Sequence, residues 1–98
     1  MNRLSQAQVD ERLEKLSKWS QSGDSIQRTF SLKDFVAAMA FVNQVAQEAE
    51  KVQHHPDILV RWNKVTLTLS THDAGGITDK DLEFAQLADR MGAAAKAK

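Results

Sequence analysis

Residues 65–70, Val-Thr-Leu-Thr-Leu-Ser, alternate without a break between apolar and hydroxyl side chains. Successive side chains of a strand point to opposite faces, so Val65, Leu67 and Leu69 belong on one side and Thr66, Thr68 and Ser70 on the other. A sheet holding this strand has one apolar face to cover and one polar face to leave open, which is the habit of antiparallel sheets. Asn63-Lys64 precedes it as a plausible two-residue turn, because Asn tolerates positive φ. Ile58–Trp62 then reads as the strand before the turn.

A second pair of strands is expected earlier. Trp19-Ser20-Gln21 and Ser25–Phe30 flank the turn-forming group Ser22-Gly23-Asp24. Ile26, Arg28 and Phe30 share one parity, so a cation falls on an otherwise apolar face. Three stretches carry helical spacing instead. The first starts at a Ser5 cap, places Val9, Leu13 and Leu16 on one side, and ends near Ser17. The second opens with Ser31 three residues before Asp34, a capping-box spacing. It carries two apolar stripes: Phe35, Met39, Val42, Ala46 and Ala49, and beside it Ala38, Phe41 and Val45. Either one domain wraps both as a single wide stripe, or a second subunit covers one of them. Pro56 disfavours helix at His55, so this helix stops before it. The third begins at a Thr78 cap with Asp81 three residues on, continues through Leu82, Phe84, Ala85, Leu87, Ala88 and Met91, and frays into an Ala-rich tail.

The expected architecture is therefore α+β: a four-stranded antiparallel sheet and three helices in the order α-β-β-α-β-β-α, two layers deep. The 98 residues form a single domain, 1–98, small enough for association to help its core. Thirteen Lys+Arg cancel thirteen Asp+Glu, which argues against a phosphate-backbone binder, so no nucleic acid is expected as partner. No run is long enough to span a bilayer, the N-terminus has no signal-peptide core, and there is no cysteine. The expected location is the cytoplasm, with no membrane partner.

The three histidines carry the chemistry. His54 and His55 stand at the exit of the second helix, and His72 follows the alternating strand, on its polar face if the strand persists. Imidazole is the side chain that both gives and takes a proton near neutrality. The plainer reading of His54-His55 is a pair of helix C-terminal residues favoured by the dipole. Three histidines can also bind zinc, yet there is no H-E-x-x-H, no cysteine and no i,i+4 histidine pair. No G-x-S-x-G elbow or phosphate-binding glycine loop occurs. Asp81 suits a helix cap, Glu50 an exposed late-helix position, and Trp19 and Trp62 core or hairpin aromatics.

Taken together, the spacing is more specific than its parts. Glu50-x-x-x-His54-His55-Pro56, Trp62, His72 and Asp81, with the strings AEKVQHHPD, NKVTLTLSTH and GGITDKDLEFA, resemble the signature of the pterin-4a-carbinolamine dehydratases. Trp19 and the segment Phe30–Phe35 fit as well, and the likeness runs from the first helix to the last. The resemblance implies an enzyme of pterin recycling. Such an enzyme removes water from the 4a-hydroxytetrahydropterin left by an aromatic amino-acid hydroxylase, giving the quinonoid dihydropterin. It implies no metal and no organic cofactor, since the pterin is the substrate. It places His54, His55 and His72 at the catalytic positions.

His54 and His72 are expected as the proton-transfer pair, with acid and base unassigned between them, and His55 as the group that orients substrate. Glu50 and Asp81 are expected to polarise histidines, and Trp19 to wall the flat ring. Backbone groups of Ser70, Thr71 and His72 are expected at the ring's amide-like edge. The expected assembly is a homodimer or homotetramer. The competing expectation is non-catalytic: a dimerisation cofactor or assembly factor that binds a partner helix.

Overall fold

The structure is a computed structural model and describes residues 2–96. Its elements follow the expected order: α1 (Gln6–Leu13), β1 (Ser20–Ser22), β2 (Ser25–Ser31), α2 (Phe35–Val52), β3 (Asp57–Arg61), β4 (Lys64–Leu69) and α3 (Asp79–Lys96). A single turn of 3-10 helix, His72–Ala74, lies between β4 and α3. The sheet is fully antiparallel with strand order β1-β2-β4-β3, so each hairpin pairs locally and β2 joins β4 at the centre.

The alternation of β4 is realised as the sequence requires. Val65, Leu67 and Leu69 are fully buried, together with Ile26 and Phe30 of β2. Ala38, Phe41, Val45 and Ala49 of α2 and Leu82, Ala85 and Ala88 of α3 complete this core. The Thr29 and Thr66 hydroxyls hydrogen-bond on the opposite, open face at 2.7 Å. Arg28 resolves the mixed parity of β2. Its guanidinium lies 4.1 Å from the centre of the Phe30 ring and donates to Asp89 of α3 at 2.6 Å. Opposite charge and an aromatic face let a cation sit at the core margin.

Several boundaries differ from the sequence expectation, each for a local reason. α1 ends at Leu13 rather than near Ser17. A tighter turn follows, in which Leu16 donates to Leu13, and that turn still buries Leu16. The Ser5 cap is present, closed reciprocally with Gln8. Ser31 ends β2 and does not cap α2; Asp34 does, accepting from the Ala37 amide at 2.8 Å. The second hairpin turns one residue earlier than expected. Arg61 pairs with Lys64, so Trp62-Asn63 is the loop and Trp62 leaves the strand with φ of 53°. Asn63 is held there by Leu32, whose carbonyl accepts from its side chain and whose amide donates to its carbonyl. α3 continues as helix to Lys96, well past Gly92.

Of the two stripes on α2, the sheet and α3 take Ala38, Phe41, Val45 and Ala49. Phe35, Val36 and Met39 remain exposed and Val42 half-buried, so one apolar face of α2 has no cover among the described residues.

Candidate active site

α2 ends at Gln53 in the left-handed conformation, which swings the chain out of the helix and presents two histidines before Pro56. Consecutive residues in extended backbone point apart. His54 turns inward and is nearly buried, whereas His55 turns outward. His54 Nε2 meets Asp81 Oδ1 at 2.5 Å. His55 Nε2 meets Glu50 Oε2 at 2.5 Å, with side chains 58% and 71% exposed, so water competes for this second pair and weakens it.

Asp81 is the hub. It is fully buried in the first turn of α3. Besides His54, it accepts from the Thr71 hydroxyl and from the Thr78 amide, both to Oδ2 at 2.9 Å. Thr78 in turn accepts from the Lys80 amide at 3.3 Å, so the expected Thr78–Asp81 cap is formed and has a second task. Thr71 is the residue before His72. One carboxylate therefore joins the end of α2 to the segment that carries the third histidine.

His72 does not lie on the strand. β4 stops at Leu69, and the Ala74 and Gly75 amides turn back onto the Thr71 and His72 carbonyls, with Gly75 left-handed at φ of 72°. The N-terminal stretch straps this loop. Leu4 donates to Ile77, and the Arg3 side chain packs against Gly76 so closely that a Cβ there would stand 2.3 Å from it. The His72 imidazole makes no hydrogen bond among the described residues.

His55, Asp57, Thr68, Ser70 and His72 border a hollow of about 300 Å³. Asp57 and Thr68 face each other across β3 and β4, which puts the hollow at the end of the open sheet face. The structure thus brings His55, His72 and Ser70 to one cavity. His54 lies on the other side of the His54-His55 backbone, bordering a groove of about 270 Å³ with Val52, Lys80 and Phe84. It reaches the His72 segment only through Asp81 and Thr71.

Trp19 is a core residue and not a wall of the hollow. It is 4% exposed, its ring stands edge-on to Phe30, and its indole N–H donates to Asp89 at 2.8 Å. The short α1–β1 connection tucks it under the sheet. Asp57 and Thr68 were not among the expected site residues; their pairing becomes visible only once the register of β3 on β4 is known. No group of three or more His, Asp or Glu among the described residues is arranged to hold a metal ion. No helix among them is long and apolar enough to cross a membrane.

The fold and the site define a small α+β protein with an antiparallel sheet, a buried imidazole–carboxylate pair and a separate histidine-lined hollow. The profile described as "Pterin 4 alpha carbinolamine dehydratase" matches residues 2–91. The chain is 52% identical over 89 residues to a protein of Roseiflexus sp. (strain RS-1), covering 91% of this chain and 96% of that one. It is 45% identical over 89 residues to one of Thermosynechococcus vestitus, covering 91% and 94%. Both carry the provisional name pterin-4-alpha-carbinolamine dehydratase.

The crystal structure of a transcriptional coactivator/pterin dehydratase from Brucella melitensis superposes with a TM-score of 0.89 at 35% identity, covering 93% of this chain and 99% of that one. A pterin dehydratase-like protein described as a RuBisCO assembly factor in the alpha-carboxysome shares the fold, with a TM-score of 0.62 at 20% identity over 76% and 86% of the two chains. The chain belongs to the pterin-4a-carbinolamine dehydratase family.

Proposed function

We propose that this protein dehydrates 4a-hydroxytetrahydropterin to the quinonoid dihydropterin, by histidine acid/base catalysis and without a metal or organic cofactor. The C4a hydroxyl leaves as water once protonated, and N5 loses its proton as the C4a=N5 bond forms. One acid and one base suffice, and such catalysis supplies about 10²–10⁴-fold. His54 and His72 exchange these protons; His55, held by an exposed carboxylate, orients the substrate. The observation that carries this reading is the Asp81 carboxylate, which fixes His54 from behind and ties it through Thr71 to the His72 segment. A buried carboxylate that orients an imidazole is a recurring device of proton-transfer sites. In this reading the ring sits in the hollow bordered by His72, His55 and Ser70 and extends past its edge to His54, which borders the neighbouring groove.

The test is stopped-flow decay of 4a-hydroxytetrahydropterin with purified protein, with and without a chelator. Rapid turnover is expected, unchanged by chelation. His54→Ala and His72→Ala are expected to lower kcat by about 10²-fold or more, and His55→Ala mainly to raise KM. The hollow shared by His55 and His72 favours a second reading, in which those two are the pair. Loss of kcat in His55→Ala with turnover retained in His54→Ala would select it. Retained turnover in all three variants would end the histidine mechanism, and absence of turnover in the wild type would leave the non-catalytic assembly role.

In this reading the protein works in the cytoplasm beside an aromatic amino-acid hydroxylase, which supplies the substrate. It assembles as a homodimer or homotetramer, with a second copy covering Phe35, Val36 and Met39.

A further inference from the structure

We infer that Thr71 and Thr78 are positioning residues for His54. Together they aim the Asp81 carboxylate so that it holds the neutral imidazole as its Nε2–H tautomer, leaving Nδ1 as the atom that exchanges a proton. The kinetic part of this inference rests on the dehydratase reading; the tautomer does not.

The argument is a count of hydrogens. A backbone amide only donates, so the Thr78 N–H at 2.9 Å makes Asp81 Oδ2 an acceptor. The Thr71 hydroxyl donates to the same oxygen at 2.9 Å. A hydroxyl has one hydrogen, so the 2.7 Å contact between the Thr71 and Thr78 hydroxyls is filled by the hydrogen of Thr78. The Thr78 oxygen is itself supplied by the Lys80 amide at 3.3 Å. Every hydrogen in this chain therefore runs one way, from Lys80 to Thr78 to Thr71 to Asp81.

With Oδ2 occupied by two donors, Oδ1 is turned to His54 Nε2 at 2.5 Å, and an ionised carboxylate there can only accept. Thr78 and Asp81 are fully buried, so bulk water does not rewrite the pattern. His54 Nδ1 makes no hydrogen bond among the described residues and is the ring atom left for a ligand. Helix capping alone does not explain Thr71. Capping of the α3 amides uses Thr78 and Asp81, whereas the Thr71 hydroxyl comes from the far side of the His72–Ala74 turn and bonds only their side chains, no backbone group of α3. Its side chain belongs to the support of His54; it was expected to serve the substrate only through its backbone.

The experiment uses the full chain, labelled with ¹⁵N at histidine. In the wild type, His54 above its titration range is expected to show a protonated Nε2 and a bare Nδ1. Thr71→Val keeps the shape and removes the donor. It is expected to move both ring ¹⁵N shifts toward a mixture of tautomers and to lower kcat about tenfold, with KM within about twofold. Thr71→Ser is expected to restore both readouts.

A wild-type His54 protonated at Nδ1 overturns the inference without any variant. So does a Thr71→Val protein whose His54 shifts match the wild type, whatever its activity. If the shifts move and Ser restores them while turnover is absent or unaffected, the positioning role stands and the proposed catalytic use of His54 falls.

Discussion

Asp81→Asn is the most informative single substitution, because the surroundings dictate how the amide must sit. Thr78 offers an N–H and Thr71 an O–H to the same carboxylate oxygen, so the carbonyl of the introduced amide takes that place. Its NH₂ then faces His54 Nε2, which must accept, and the imidazole is driven to the Nδ1–H form. All three hydrogen bonds survive in number but lose their charge assistance. Bonds to charged groups contribute about 1.5–3 kcal/mol and neutral ones about 0.5–1.5, so each bond loses about 1–1.5 kcal/mol and the three together about 3–4.5 kcal/mol. For a domain of this size each kcal/mol corresponds to roughly 4–8 °C in Tm. Asp81→Ala would instead leave three donors, two of them buried and one half-buried, without their acceptor at about 1–3 kcal/mol each, comparable to the about 5–15 kcal/mol that holds a small domain together. The Asn variant keeps the fold and inverts the ring. Urea unfolding followed by circular dichroism, with stopped-flow turnover, reads both consequences. kcat is expected to fall by about 10²–10⁴-fold with KM little changed. An inverted His54 tautomer with wild-type kcat would refute the claim that Nδ1 exchanges the proton. A stability equal to wild type would refute the charged network itself.

Gly92→Ala is expected to destabilise the protein. A Cβ at Gly92 stands 2.7 Å from two Phe30 ring carbons, and that fully buried ring is already hemmed in by Phe41, Trp19 and Arg28. Overpacking costs about 1–3 kcal/mol against about 1 kcal/mol gained in helix propensity, so a lower Tm is expected and an unchanged or higher one would show that the ring yields. Trp62→Asn is expected to raise Tm, since a 72% exposed Trp at φ of 53° gives up little packing and the left-handed region costs about 1–2 kcal/mol for such a residue; a fall in Tm would mean that the indole is covered in solution. Met39→Glu is expected to lower the mass seen by light scattering, and a wild type already at the monomer's 10.9 kDa would remove the basis for that expectation.

The order of elements is legible because local periodicity carries it. Val65 to Ser70 admits only a strand with one buried face, and the second helix announces itself by its stripes. Boundaries were less legible where a distant contact decides them. Nothing near Trp62 in the sequence says that Asn63 will be held by Leu32, and that contact moves the turn by one residue and forces the indole into a left-handed conformation. Arg28 is a similar case. Its parity with Ile26 and Phe30 looks like a fault in the apolar face until Asp89, 61 residues away, supplies the opposite charge. Trp19 has the same explanation, since its indole donates to that same Asp89 oxygen.

The site shows why a motif at one level hides a role at another. Thr78-x-x-Asp81 satisfies every local criterion for a helix cap, and it is one. A cap needs only one carboxylate oxygen, and the second is left to point wherever the fold directs it. Here it points at His54, which the left-handed Gln53 has turned back toward α3. Thr71 completes the arrangement from a third segment, brought there by a turn that ends β4 before His72. Each residue has an adequate local explanation, so none signals the network by itself. Its sequence trace is the fixed spacing of His54, His72 and Asp81, which local structure does not require. A cap explains Asp81, a helix dipole explains His54 and a loop explains His72; the proton path proposed above is the role that would require all three together.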